Sequence, residues 1–71
     1  MKYNQYIATN FVQGAIQNTN PHPTVAGAMK EFFTEHKHMH VCSIKRVCVK
    51  PSGEVLTDPE FKMRRVDKNT A

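Results

Sequence analysis

Glycine and acidic side chains are both scarce in this chain: three Gly and six Asp or Glu among 71 residues. Gly14, Gly27 and Gly53 stand far apart, so no glycine-rich loop is available to cradle a phosphate. Glu31 and Glu35 lie i, i+4, the spacing of a solvated helix face, and no carboxylate pair is set for acid–base work. Cysteine is limited to Cys42 and Cys48, without the C-x-x-C spacing of zinc sites. No apolar run approaches the ~20 residues that span a bilayer. The opening residues 1–6 are too polar to lead into the apolar core of a signal peptide. The chain is expected to be cytoplasmic and to have no membrane partner.

Charge is missing from one long stretch. Between Lys2 and Lys30 there is no Asp, Glu, Lys or Arg. Seven Asn and Gln stand there instead, from Asn4 to Asn20. From Lys30 onward lie nine of the ten Lys and Arg and all six acids, for a net charge of +4. Such asymmetry predicts an electropositive face for an acidic partner.

Length fixes the scale of what can be built. Residues 1–71 form one domain, with a tail from about 67 to 71 expected to fray. A domain this small buries only about 60% of the surface its unfolded chain exposes. It has room for one helix on one sheet, and little for a pocket of about 300–1,000 Å³. A non-enzymatic protein without a cofactor is expected.

The element pattern points to an α+β fold: one main helix packed on a small antiparallel sheet of about three strands. Val25, Ala28, Met29, Phe32 and Phe33 follow the i, i+3, i+4, i+7, i+8 rule for one helix face. With Thr24 as cap, they predict a helix over 24–37. Residues 40–49 are rich in β-formers. Cys42 and Ile44 share one face of that strand, and Val47 and Val49 the other, unless a bulge at Lys45-Arg46 resets the register. Six residues of strand hold the two thiols about 20 Å apart, whereas a disulfide needs Cα atoms within about 7 Å. Both cysteines are expected to be free. Lys50-Pro51-Ser52-Gly53-Glu54 reads as a turn leading into a return strand at 54–57. Residues 3–12 favour a strand by composition, although Ile7, Phe11 and Ala15 also fit helical spacing; a strand is the reading taken. Asp58-Pro59-Glu60-Phe61 looks like the start of a short C-terminal helix.

Two clusters could carry chemistry. His38, His40 and Cys42 alternate, and on one strand face they would be the candidates for a metal. A fourth ligand would require Cys48 to fold back, so no metal is expected. The second cluster is basic: Lys45, Arg46 and Lys50 on the hairpin, with Arg64 and Arg65 near the end. These are the candidate binding residues. The partner expected is an acidic protein, with nucleic acid as the alternative. Phe61 is the sole aromatic beside these cations, which is a poor stacking platform for single strands. Should the basic hairpin prove only a solvated surface, Tyr3, Tyr6 and Phe11 on the uncharged segment are the next place for a contact.

The unit Thr24-Val25-x-x-Ala28-Met29, followed by a strand with Ile44, Val47 and Val49, resembles small early proteins of bacteriophages. Among these it is loosely similar to phage inhibitors of bacterial RNA polymerase. The likeness covers about residues 24–49 and carries over no functional residue. It implies a non-enzymatic binder that docks on a host macromolecule and modulates or inhibits it in the host cytoplasm.

Overall fold

The structure, a computed structural model, describes residues 2–70. Among these are one α-helix, five β-strands and a closing 3₁₀ turn: β1 (Gln5–Val12), β2 (Ala15–Asn18), α1 (Val25–Glu35), β3 (Val41–Val49), β4 (Val55–Thr57), β5 (Arg64–Asp67) and 68–70. The α+β class expected from the pattern is what forms. The sheet is larger than the three strands expected, with order β2-β1-β3-β4 and β5 also paired to β3, all antiparallel. No described helix is long and apolar enough to cross a membrane.

The additional strand β2 comes from a turn that the sequence hides. Gln13 and Gly14 both take positive φ, 52° and 83°. They connect Val12 to its partner Ala15 in the two-residue loop of a tight hairpin. Gln is uncommon in this conformation, so Gln13-Gly14 lacks the usual Asn-Gly signature. After β2 the chain stays close to β1. Thr19 Oγ1 accepts from the buried Ala8 N–H at 3.0 Å and donates to the Asn20 carbonyl at 2.9 Å. His22 then exchanges two backbone hydrogen bonds with Tyr6, at 2.7 and 2.8 Å.

Thr24 starts the helix as its hydroxyl accepts from the Gly27 N–H at 3.0 Å. The helix ends at Glu35, two residues before the expected 37, with His36 as its cap. A side chain at position 27 would meet His22 Nδ1 at 3.1 Å. Glycine there lets the His22 ring lie against the first turn, where its Nε2 is 2.6 Å from Glu31 Oε1. Glu31 Oε2 in turn accepts from the Asn20 N–H at 3.0 Å. Burial pushes the Glu31 carboxyl up, but these two hydrogen bonds outweigh it and hold the group below its ordinary range.

Ala28, Met29, Phe32 and Phe33 are the buried helix residues, as their spacing predicts. They pack with Ala8, Cys42 and Ile44 from the two central strands. The Phe32 and Phe33 rings meet edge to face, 5.4 Å apart. Cys42 and Cys48 are free and buried, and burial pushes the Cys42 thiol up to about 11.

The bulge considered at Lys45-Arg46 does not form. β3 keeps one register with β1 from Ser43 to Val47, so Cys42 and Ile44 face the helix while Val47 and Val49 face away. The 50–54 turn is as expected: the Gly53 N–H donates to the Lys50 carbonyl at 2.8 Å, with Gly53 at φ +93°.

The expected helix at Asp58 is replaced by a turn and a strand. Asp58 Oδ1 accepts from the Glu60 N–H at 3.0 Å, which closes a local turn rather than capping a helix. The chain then rejoins β3 as β5. Arg64 stands opposite Ile44, where the register of β4 continued would have put Glu60. Four residues therefore loop out, and both strands keep the same faces. Asp67 closes β5, and the Lys68 N–H donates to the His40 carbonyl at 2.8 Å. Of the tail expected to fray, Ala71 lies outside the described residues.

Candidate functional site

The structure separates the five basic candidates. Lys50 sits at the hairpin end, with Nζ 3.3 Å from Glu54 Oε1. Arg46 points to the helix side of the sheet, beyond the reach of α1. Its Nε and Nη2 donate to Asp58 Oδ2 at 2.9 and 2.8 Å. Its guanidinium lies 4.8 Å over the Phe61 ring, and Phe61 packs edge-on to Tyr6. The Glu60 N–H first, and then Arg46, hold the Asp58 carboxyl below the usual range against the opposing effect of burial. Arg46 is thus engaged in a plug of Tyr6, Phe61 and Asp58. Arg64 and Arg65 are both exposed on β5, and strand alternation turns them to opposite faces.

One pairing of cations does result. Arg65 stands opposite Ser43, and Lys45 lies two residues further along β3, so both share the face turned away from the helix. That face also carries apolar side chains that nothing within the described chain buries. Phe11 is 64% exposed, its cross-strand partner Ile16 60%, and Met63 58%. The three border a shallow depression of about 200 Å³ with Thr9, Asn10 and Ser43. Thr9 and Ser43 are themselves opposite one another in β1 and β3. The resulting surface has an apolar centre, a polar floor of two hydroxyls, and two cations at one side.

Composition names Phe11 as a fallback contact, but Ile16 and Met63 could not be placed without the hairpin and the looped-out segment. The one usable signal was an aromatic and a branched apolar residue flanking Gln-Gly at equal distances, Phe11-Val12-Gln13-Gly14-Ala15-Ile16.

The metal candidates are scattered. His38 lies in the turn after α1 and His40 precedes β3, so neither shares a strand face with Cys42, which is sealed in the core. His38 borders a depression of about 480 Å³ with Glu35 and His36. Among the described residues no three His, Cys, Asp or Glu come together to hold a metal ion. A depression of about 620 Å³ is ringed by Lys2, Tyr3, Asn4, Arg46, Asp58, Pro59 and Glu60. Its charged pair Arg46–Asp58 is bonded to itself.

Comparison with known protein families, with curated proteins and with solved structures finds no match to this chain.

Proposed function

We propose that this chain is a non-enzymatic binding protein that docks on an acidic protein surface through its helix-free sheet face and so modulates or inhibits its partner. One observation carries the reading: Phe11, Ile16 and Met63 are all more than half exposed on one face, around a single depression. Contiguous exposed apolar side chains on a small protein mark interaction surfaces. An aromatic anchor at the centre with charges at the side is the usual layout of a protein interface. Lys45 and Arg65 supply the positive side, which speeds encounter with a negative patch and orients the partner. Of the basic residues, these two are the ones we assign to contact. Arg46, Lys50 and Arg64 contribute to the overall field.

A nucleic-acid strand fits this surface less well. Strand binding without sequence preference relies on successive aromatic platforms along a basic groove. Here one aromatic stands beside an isoleucine and a methionine. The likeness to phage early proteins makes a bacterial protein the partner to look for.

The test is retention of polypeptides from a bacterial lysate on the immobilised protein, with and without nuclease. Wild type should retain a defined polypeptide after nuclease treatment, and Phe11→Ser should lose it. Lys45→Glu combined with Arg65→Glu should slow association with the fold intact by circular dichroism. Retention that vanishes with nuclease would replace this reading with the nucleic-acid one. Retention that survives Phe11→Ser would move the contact off this face.

A further inference from the structure

We infer that the free edge of β2 pairs with β2 of a second copy of this chain, about a two-fold axis passing through Gln17. The reasoning starts from the backbone. In a two-residue hairpin Val12 and Ala15 exchange hydrogen bonds, and the bonded positions then alternate. Ala15 and Gln17 therefore turn their N–H and C=O groups toward β1, and the Thr19 N–H continues the alternation with its 3.0 Å bond to the Ala8 carbonyl. Ile16 and Asn18 turn theirs outward. Placing Gln17 opposite its own copy puts Ile16 opposite Asn18 of the other chain. Both residues then exchange their outward N–H and C=O groups, and the two sheets become one of eight strand positions.

Charge says why the occupant is a second copy. The chain carries +4, so two copies repel over most approaches. The hairpin itself brings no formal charge to its edge, since no Asp, Glu, Lys or Arg lies between Tyr3 and Met29. The two edges of the sheet differ in the same sense. The β4/β5 edge is broken by the 58–63 connection between the two strands and carries Arg64, Arg65 and Asp67, devices that discourage pairing. Edge β2, Ala15-Ile16-Gln17-Asn18, has no charge, no proline and no break. Ile16 adds an apolar contact, because the two Ile16 side chains lie diagonally across the axis, at about 7–8 Å between Cα positions.

The dimer seam shares Ile16 with the docking surface, but its axis residue does not belong to that surface. Gln17 faces the helix side, where it borders the depression at the end of α1, and not the Phe11 face. Sedimentation velocity over a series reaching about 1 mM tests it, with Gln17→Lys and Gln17→Glu as variants. Wild type should pass from monomer to dimer with a dissociation constant in the micromolar range. Either charged variant alone should raise that constant about tenfold or more, because like charges then face each other at the closest cross-strand distance. An equimolar mixture of the two variants should restore the dimer. A wild type that stays monomeric throughout overturns the inference, as does a Gln17→Lys variant that dimerises like wild type. Loss of lysate retention in Phe11→Ser with an unchanged dimer constant would separate the two surfaces.

Discussion

The two faces of the sheet are drawn from the same central strands and end in opposite states. On the face toward α1, Ala8, Cys42 and Ile44 are sealed by Ala28, Met29, Phe32 and Phe33. On the other face Ile7 and Val47 are buried where strands flank them, Val47 lying between Gln5 and Thr57. Toward the hairpin end of that same face, Phe11 and Ile16 stand open. A sheet needs a layer on each apolar face, and a chain of this length supplies one helix. The difference teaches that apolar residues outnumber the places available to bury them. The surplus is gathered at one end of one face instead of being scattered.

The largest test of this division is Phe32→Ala. Phe32 is fully buried between the helix and the sheet. Truncating it should cost about 3–5 kcal/mol, a large part of the stability of so small a domain. Urea denaturation should show a collapsed midpoint or no cooperative transition. A midpoint close to that of wild type would mean that the helix face is not the principal core.

Thr19→Val comes next. The hydroxyl is the partner of the Ala8 N–H, which sits at the centre of the covered face. Valine keeps the shape and leaves a buried donor unpaired, at a cost of about 1–3 kcal/mol. Thr19→Ser, which keeps the hydroxyl, should recover most of that loss. A loss in Thr19→Val no larger than that in Thr19→Ser would mean that the hydrogen bond to the Ala8 N–H contributes no more than the packing of the methyl group.

The covered face was legible in the sequence because helical periodicity and one capping threonine determine it almost alone. Val25, Ala28, Met29, Phe32 and Phe33 follow a pattern that no strand could satisfy. The 50–54 turn was legible because proline and glycine each have one fitting place in it. The open face was not. It depends on Gln13 adopting a left-handed conformation that Gln seldom takes, and on the chain leaving the β4 register at Asp58 and rejoining β3 at Arg64 as β5 with a four-residue offset. At Asp58-Pro59-Glu60 the local signal is the same for a helix start as for a turn. What decided between them was the edge of β3 from Val41 to Ile44, whose unpaired backbone groups β5 satisfies. The basic residues were legible as a composition but not as a cluster, since alternation sends neighbours such as Arg64 and Arg65 to opposite faces.

The plug beyond the helix offers a pH test. The side chain of Asp58 is almost wholly buried beside Arg46, and its carboxyl is held below its ordinary value by the Glu60 N–H and by Arg46. A group depressed in the folded state stabilises it above the unfolded pKa, about 3.9 for Asp. That contribution disappears as pH falls through the folded value. The urea midpoint should therefore decline as pH drops from about 4 toward 2, and Asp58→Asn should make the decline shallower. Glu31, also held low, leaves a residual slope that Glu31→Gln should reduce in turn. An unchanged acid slope in Asp58→Asn would indicate that its carboxyl is equally stabilised in the unfolded chain.

The smallest stability effect should come from Phe11→Ser, and it makes the sharpest contrast because the residue type is the same as at Phe32. The Phe11 ring is 64% exposed beside an equally open Ile16. Removing it takes little apolar surface out of the folded protein that was not already in water, and no buried polar group loses a partner. Substitutions at such surface positions usually stay within about 0.5 kcal/mol. The urea midpoint should therefore match that of wild type, while retention of the partner polypeptide falls. A loss approaching that of Phe32→Ala would show that Phe11 is covered in solution, by a second copy or by a segment of this chain. Repeating the measurement at two protein concentrations distinguishes these, because only cover by a second copy makes the loss depend on concentration. A midpoint unchanged at both concentrations leaves the Phe11 end of the sheet open for a different molecule.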